Sequence, residues 1–236
     1  MPCVLLTRAL EDQAPFETCL KDAGWEVISN PLLRYEDVPF SFDTPLPFAW
    51  LITSRNAVGA LTRLDVERER PVFAVGEISA AHAREAGFVT HSAQGNGESL
   101  VTLVTQMLDP ASGPLIHVSG DHLRVDLAAC LAPLGYRVAR LTVYASIATP
   151  YMTPALFEAL KTDRLTHALF YSKRTAQIFL EMLVAQQVDF STKGICAIAM
   201  GPSIVEVLEK RSWQNICVAQ DPLQTLLSTG RNTRHE

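Results

Sequence analysis

Hydroxyl-bearing and basic residues follow several apolar runs of this 236-residue sequence, where a predicted strand gives way to a predicted helix. In open α/β sheets, ligands bind at the carboxyl ends of the strands, where helix N-termini present free backbone N–H groups. A surface of that kind suits carboxylates or phosphates. The candidate turns are Thr7-Arg8, Thr53-Ser54-Arg55, Gly76-Glu77-Ile78-Ser79, Ser119-Gly120, Tyr171-Ser172-Lys173 and Gly201-Pro202-Ser203.

Each of these turns also has a purely structural explanation. A serine at a helix start is most simply an N-cap, which stabilises the helix by ~1 kcal/mol. A glycine after a strand most simply permits a tight turn. For any single turn the structural explanation is favoured, and only the recurrence of such turns along the chain indicates a binding surface.

A further candidate, Tyr144, lies in the stretch Arg140–Pro150, which reads R-L-T-V-Y-A-S-I-A-T-P. Apolar and polar residues alternate from Leu141 to Ser146, as is typical of a β-strand, and the proline forces an extended residue before it. We therefore predict a strand that leaves one body of the protein and continues as a connector. The pattern puts Tyr144 on the polar face, and composition alone favours a half-packed boundary tyrosine.

Motifs of several other chemistries are absent from the sequence. There is no G-x-G-x-x-G or G-x-x-x-x-G-K-[ST] loop for nucleotide phosphates and no G-x-S-x-G elbow for a hydrolase. His117 and His122 flank Asp121, but His117 lies in an apolar run and no further ligand cluster exists. A core histidine with a loop histidine is favoured over a metal site.

The composition predicts a packed globular protein, because 48% of the residues are hydrophobic and 19% charged. The net charge of −5 argues against general affinity for nucleic acid or anionic membranes. The five cysteines are dispersed and odd in number, which we interpret as buried thiols in a reducing compartment. With no signal-peptide pattern and no apolar run near the ~20 residues of a membrane span, a cytoplasmic protein is expected.

Predicted strands alternate with predicted helices throughout the chain, which indicates the α/β class with parallel sheets and helices on both faces. Continuous apolar runs such as Cys3–Thr7 and Ala49–Thr53 are typical of strands buried on both faces. Helices are predicted to end at Gly24, Gly87 and Gly135.

Two kinds of unit recur along the chain. The first is strand, helix, glycine, strand and extended tail, and it begins at C-V-L-L-T-R and again at L-I-H-V-S-G. The second is strand, serine, helix, strand and glycine, and it begins at L-I-T-S-R-N-A and again at L-F-Y-S-K-R-T-A. The units alternate, so the chain either divides into consecutive halves near Gly113 or crosses between two bodies in each extended tail. Periodicity leaves both divisions open.

With these motifs assembled, the sequence resembles the uroporphyrinogen-III synthase family over nearly the whole chain. The resemblance rests on the order and spacing of V-L-L-T-R, L-I-T-S-R-N-A-V, F-A-V-G-E-I-S-A, G-N-G-E-S-L, H-V-S-G-D-H-L-R, L-T-V-Y, F-Y-S-K-R-T-A and A-M-G-P-S. It implies two α/β domains joined by a two-stranded linker, with the active site in the cleft between them. Domain 1 would be residues 1–34 plus 148–236, domain 2 residues 36–146, and the linkers would lie near 31–38 and 143–150.

The resemblance also implies a reaction. The linear tetrapyrrole hydroxymethylbilane loses its terminal hydroxyl and closes with the last pyrrole ring inverted, without cofactor or metal. This small-molecule substrate is the expected partner, and because no large interface patch is evident in the sequence, a monomer is expected. Tyr144 matches the family tyrosine proposed to help the hydroxyl leave. The candidate substrate-binding residues are Thr7, Arg8, Ser54, Arg55, Gly76, Ser79, Ser119, Ser172, Lys173, Gly201 and Ser203.

One alternative stays open. A non-catalytic, two-domain cytoplasmic binding protein for a small anionic ligand explains the repeated units equally well, but it does not explain the ordered set of motifs.

Overall fold

The computed structural model describes residues 1–41, 46–64, 67–186 and 188–232. The chain forms two compact units, one made of Met1–Arg34 with Ile147–Glu236 (unit 1) and the other of Tyr35–Ser146 (unit 2). Within the described ranges no helix is long and apolar enough to cross a membrane.

The strands of the described residues are, in chain order, β1 (Cys3–Leu6), β2 (Glu26–Ser29), β3 (Leu33–Asp37), β4 (Ala49–Ile52), β5 (Val72–Ala74), β6 (Thr90–Ser92), β7 (Leu115–Gly120), β8 (Val138–Ala148), β9 (His167–Phe170), β10 (Cys196–Ala199) and β11 (Asn215–Val218). The α-helices are α1 (Ala14–Asp22), α2 (Val58–Arg63), α3 (Glu77–Glu85), α4 (Gly97–Met107), α5 (Leu127–Leu131), α6 (Pro154–Lys161), α7 (Lys173–Ala185), α8 (Pro202–Leu208) and α9 (Pro222–Asn232).

Unit 1 is built on a sheet with the strand order β11-β10-β9-β1-β2, whose neighbouring strands are parallel. Alternate residues of its strands enter two apolar clusters on opposite faces. Leu5 and Phe170 pack with α6, α7 and α8 on one face, and Leu6 and Leu169 pack with α1 and α9 on the other. Because both faces are covered, the interior strand β1 is buried at every position, as its continuous apolar run predicts.

Unit 2 is built on a sheet with the order β3-β8-β7-β4-β5-β6, in which β4, β5, β6, β7 and β8 pair in parallel. Trp50 and Ile52 lie on the face covered by α2 and α3. Leu51 and Leu115 lie on the face covered by α4 and α5. The predicted α/β class, with parallel sheets and helices on both faces, is confirmed.

The repeated glycines end equivalent elements in the two units. Gly24 and Gly135 have φ values of 86° and 88°, in the left-handed region where glycine is the least strained residue. In both places the next backbone N–H reaches back to the helix: Trp25 donates to Leu20 O at 3.0 Å, and Tyr136 donates to Leu131 O at 3.3 Å. Both glycines therefore act as the C-terminal caps that the sequence predicts.

The chain leaves unit 1 within β3 and returns to it within β8. Near these two crossings, polar contacts join the two segments of unit 1. The Asn30 amide is buried, donates to the Tyr151 carbonyl at 3.0 Å and accepts from the Thr153 N–H at 2.7 Å. The Thr149 hydroxyl donates to the Pro31 carbonyl at 2.8 Å. Buried polar groups satisfied in this way hold a single geometry, because an unmade bond there costs free energy.

The structure corrects the prediction of buried cysteines. All five thiols are free, but only Cys3 is fully buried. Cys19 and Cys130 lie on the solvent-facing sides of α1 and α5, and Cys196 and Cys217 are half-buried. Dispersal along the sequence excluded a disulfide framework without showing which face of a helix each thiol occupies.

Candidate active site

In unit 2, the predicted turns after β4 and β5 lie at the carboxyl edge of one sheet, since these strands are parallel neighbours. Ser54 caps the turn that leads into α2, accepting from the Asn56 N–H at 3.2 Å, which confirms the N-cap interpretation. The half-buried Arg55 follows it. Gly76 is the N-cap of α3 and supplies no side-chain hydrogen bond, so the first N–H groups of that helix are not capped by it.

Two serines of unit 2 differ from the sequence prediction. Ser79, predicted at a strand-to-helix corner, is the third residue of α3 and is buried, because the helix begins at Glu77. Ser119, also predicted in a turn, is the fifth residue of β7. Its hydroxyl accepts from the Arg140 Nε at 3.0 Å, so that interaction ties β7 to β8.

Tyr144 lies beside the end of β7, at an irregularity in the pairing of β7 with β8. Ser119 pairs with Thr142, whereas Gly120 pairs with Tyr144, so Val143 is an additional residue on β8. Such a β-bulge breaks the two-residue alternation of side chains and redirects those that follow. Val143 and Tyr144 are accordingly both buried, and the expectation of a half-solvated Tyr144 on a regular polar face is wrong.

The ring of Tyr144 is held by close packing within unit 2. It lies against Gly120, where an added Cβ would meet its Cε2 at 2.3 Å. Tyr35 of β3 packs edge-to-face against it, with ring centroids 5.7 Å apart and planes at 84°, an arrangement that aromatic pairs prefer. Tyr144 exposes 8% of its surface.

A buried histidine supports the same edge of the unit 2 sheet. His117 of β7 is 2% exposed, and its Nε2 lies 3.3 Å from the Thr53 hydroxyl. Burial lowers the pKa of His117 to about 4, Arg140 acts in the same direction, and Asp126 opposes it. His117 is therefore a neutral core histidine at neutral pH, and His122 is an exposed loop histidine, as the sequence predicts. Among the described residues no group of three or more potential metal ligands exists.

In unit 1, the turn after β1 contains one structural residue and one cation on the carboxyl edge. Thr7 is fully buried and donates to the Leu169 carbonyl at 2.7 Å, so its hydroxyl joins β1 to β9. Arg8 stacks on the rings of Phe16 and Tyr171, with its guanidinium carbon 4.5 Å from each ring centroid. Stacked guanidinium groups keep their N–H donors in a fixed plane.

The same environment changes the pKa of the Tyr171 phenol. Burial raises the pKa of Tyr171 to about 12, and the neighbouring Arg8 opposes that rise. Tyr171 therefore remains protonated at neutral pH and provides Arg8 with a neutral stacking surface.

The turns after β9 and β10 complete the carboxyl edge of the unit 1 sheet. Ser172 caps α7 by accepting from the Thr175 N–H at 3.1 Å, which again confirms an N-cap. The ammonium of Lys173 lies 3.2 Å from a carboxylate oxygen of Glu206. Gly201 is the N-cap of α8 and supplies no side-chain hydrogen bond, and Ser203, the second residue of that helix, is exposed.

The predicted residues thus separate into two groups. The hydroxyls of Thr7, Ser119, Ser54 and Ser172 have structural partners. Two helix N-termini with glycine caps, at Gly76 and Gly201, and several basic groups remain as binding candidates. Such edges present backbone donors and cations suited to carboxylates.

Sequence reasoning did not single out Tyr35, Arg140 or the role of Asp121. For Tyr35 a signal existed, because the two extended tails of the repeat both end in tyrosine, L-L-R-Y and L-T-V-Y. For Arg140 and Asp121 no signal existed, since their roles depend on the bulge.

The comparison with protein families gives a match over most of the chain. The model of the uroporphyrinogen-III synthase HemD family matches residues 14–226. The chain belongs to the uroporphyrinogen-III synthase HemD family. Uroporphyrinogen-III synthases are cyclising lyases of tetrapyrrole biosynthesis, so the family and the class of reaction predicted from the sequence are confirmed.

Solved structures of uroporphyrinogen-III synthases share this fold. The enzyme from Helicobacter pylori is 18% identical, with 97% of this chain and 99% of that one covered and a TM-score of 0.63. A mutant of the enzyme from the extremely thermophilic bacterium Thermus thermophilus is 19% identical, with both chains fully covered and a TM-score of 0.56. A search of curated protein sequences gives no significant match.

Proposed function

We propose that this protein closes hydroxymethylbilane to uroporphyrinogen III, with Tyr144 assisting departure of the terminal hydroxyl. The hydroxyl leaves as water, and a carbon–carbon bond forms from its carbon to the substituted carbon of the last pyrrole ring. The spiro intermediate then rearranges to the macrocycle with that ring inverted. Electrons are not exchanged with any other compound, so the proposal includes no cofactor.

The observation that carries the role of Tyr144 is its position within a fold of this family. It follows a β-bulge at the end of β7, between Gly120 and the ring of Tyr35. A phenol in a fixed position can donate a hydrogen bond or a proton to a leaving oxygen. Bulges occur often beside active sites, where they redirect a side chain.

Orientation supplies much of the proposed catalysis. Hydroxymethylbilane also closes without an enzyme, to the uninverted type I isomer, so the protein must favour one geometry of attack over another. Fixing reacting groups in a productive geometry is worth ~7–11 kcal/mol in favourable cases. A site without a strong acid–base pair is compatible with this requirement.

The acetate and propionate groups of the substrate are proposed to bind the carboxyl edges of the two sheets. The N-caps of α3 and α8 are Gly76 and Gly201, which have no side chain to accept hydrogen bonds from the first N–H groups of these helices. Helix N-termini favour anions. Arg8, whose guanidinium lies over the rings of Phe16 and Tyr171, offers planar donors to a carboxylate. Arg55, Lys173 and Ser203 are further candidates.

In this proposal unit 1 and unit 2 are the two domains of the enzyme. Domain 1 is residues 1–34 plus 148–236, and domain 2 is residues 36–146. The protein acts as a cytoplasmic monomer whose partner is its substrate. The net charge of −5 supports a small-molecule ligand over nucleic acid. Size-exclusion chromatography with light scattering tests the monomeric state.

One assay separates the enzyme from a non-catalytic binding protein. Purified protein is mixed with freshly prepared hydroxymethylbilane, and the product isomers are oxidised and resolved by chromatography. We expect the type III isomer in proportion to protein concentration. Type I isomer alone, formed at the rate seen without protein, would instead support a binding protein for an anionic ligand.

A further inference from the structure

Asp121, the residue directly after β7, makes hydrogen bonds to β8 at two places, Tyr144 and Ser146. Its backbone N–H donates to the Tyr144 carbonyl at 3.0 Å. Its carboxylate Oδ1 accepts from the Ser146 N–H at 2.9 Å. One residue therefore fixes the backbone of β8 at Tyr144 and again two residues later.

This arrangement continues the sheet beyond the point where β7 ends. The regular pairing of β7 with β8 stops at Gly120 opposite Tyr144, and the following N–H groups of β8 need other acceptors. The Asp121 carboxylate supplies one of them from its side chain. It also accepts from the His122 N–H at 3.0 Å, which fixes the carboxylate relative to its own backbone.

Two basic residues, Arg140 and His122, lie against Asp121. The Arg140 guanidinium donates to the Asp121 carbonyl at 2.9 Å, as well as to the carbonyl of Gly120 and the hydroxyl of Ser119. The imidazole Nε2 of His122 lies 3.6 Å from Oδ2 of the carboxylate. Asp121 is thus attached to β7, β8 and the loop that follows β7.

We propose that Asp121 is the positioning residue for Tyr144, holding the bulged segment so that the Tyr144 ring keeps its place against Gly120. This inference rests on the proposed role of Tyr144. Asp121 acts through the β8 backbone, with its carboxylate engaged by backbone N–H groups. Small displacements of a catalytic group cost up to about 100-fold in rate, so loss of this attachment lowers turnover.

The test compares Asp121→Ala with Asp121→Asn and Asp109→Ala. Asn retains an oxygen acceptor for the Ser146 N–H, whereas Ala removes it. Asp109 also accepts a backbone N–H, that of Ala111 at 2.8 Å, but at the start of a 3₁₀ turn before β7, so it controls for the loss of an aspartate. We expect kcat to fall about 10- to 100-fold in Asp121→Ala, with little change in KM. Asp121→Asn should retain most of the wild-type rate, and Asp109→Ala should leave the rate unchanged.

Two further measurements show whether the effect passes through Tyr144. In a Tyr144→Phe background, Asp121→Ala should add little to the loss already present, because residues that act as a unit are not additive. In protein labelled with ¹³C-tyrosine, the Tyr144 ring resonances should shift or broaden in Asp121→Ala and not in Asp109→Ala. Both readouts are made on protein shown to be folded by its unfolding transition.

The outcomes separate this inference from the function on which it rests. Three results would each overturn the inference while leaving Tyr144 in its role. They are a wild-type rate in Asp121→Ala, a loss of rate from Asp121→Ala that is as large in the Tyr144→Phe background as in the wild type, and Tyr144 resonances that do not change in Asp121→Ala. A full rate and an unchanged isomer ratio in Tyr144→Phe alone would overturn the role of Tyr144 and the inference together.

Discussion

The Tyr144 ring lies so close to the backbone of Gly120 that a Cβ atom added there would stand 2.3 Å from its Cε2. Real Cβ atoms essentially never approach another heavy atom so closely, and this neighbour is a ring that Tyr35 also contacts. The position of the proposed catalytic ring therefore depends on the absence of a side chain at Gly120.

Gly120→Ala is expected to move the Tyr144 ring. Overpacking of a well-packed core costs about 1–3 kcal/mol, and kcat should fall because the ring is displaced. Denaturant unfolding and the isomer-resolved assay measure the two effects. Gly194→Ala is the matched control, since nothing lies within 4 Å of a Cβ built there. Wild-type kcat in Gly120→Ala would show that the ring position is immaterial.

Tyr144→Phe is expected to remove the phenol while keeping the ring contacts. General-acid groups contribute about 10²–10⁴-fold, so kcat should fall about 100-fold and the share of type III product should decrease. Stability should change by no more than about 1.5 kcal/mol, the net value of one hydrogen bond. Initial rates and isomer ratios at saturating substrate measure the effect. The control is Tyr136→Phe, which removes a structural hydroxyl: in the wild type, the Tyr136 hydroxyl donates to the Leu108 carbonyl at 2.7 Å.

The buried His117 predicts a loss of stability in mild acid. Because burial lowers its folded pKa to about 4, below the usual 6.5, the unfolded chain binds the proton more readily. The contribution of neutral His117 to the free energy of unfolding is present above pH 6.5 and is lost as the pH falls towards 4. The loss over this range corresponds to about 3 kcal/mol of unfolding free energy.

Urea unfolding from pH 7.5 to 4 measures this dependence. The slope of the free energy of unfolding against pH reports the difference in bound protons between the unfolded and folded states. In His117→Gln, whose side chain is neutral at every pH, that difference should be smaller by up to about one proton between pH 6.5 and 4. Burial also lowers the pKa of His167 in unit 1, so part of the slope remains. An identical pH profile in His117→Gln and the wild type would contradict the prediction.

Arg8→Lys tests the stacked guanidinium of unit 1. Lysine keeps the charge but cannot present a planar fork over the rings of Phe16 and Tyr171. We expect a stability loss of about 0.5–2 kcal/mol from the lost cation–π contacts and an increase in KM with kcat nearly unchanged. Arg164→Lys, at a surface pair 3.3 Å from Glu26, is the control and should change neither constant. An unaltered KM in Arg8→Lys would remove Arg8 from the substrate-binding set.

Much of the fold follows from local sequence signals. The apolar run of β1 predicts a strand buried on both faces, and the structure places it between β2 and β9. Gly24 and Gly135 end helices through left-handed backbone conformations, which few other residues adopt without strain. These features depend on near neighbours in the chain, so the sequence predicts them.

The site depends on long-range pairing, and there the sequence predicts less. Alternation along β8 assigned Tyr144 to a polar face, but the bulge at Val143 can be seen only once β7 and β8 are paired. Ser119 looked like a turn residue because the sequence did not show that β7 extends to Gly120. The capping roles of Ser54 and Ser172, which are local, were predicted correctly.

The Asn30 contacts have a consequence for how the protein is made. Strand β1 emerges from the ribosome before unit 2, yet its neighbour β9 begins only at His167, after all of Tyr35–Ser146 has been synthesised. Because domains generally fold as units during synthesis, unit 2 can fold while β1, already paired with β2, still lacks its second neighbour β9. Asn30 then binds Tyr151 and Thr153 as the returning chain arrives, so the unit that contains β1 is completed after the unit inserted into it.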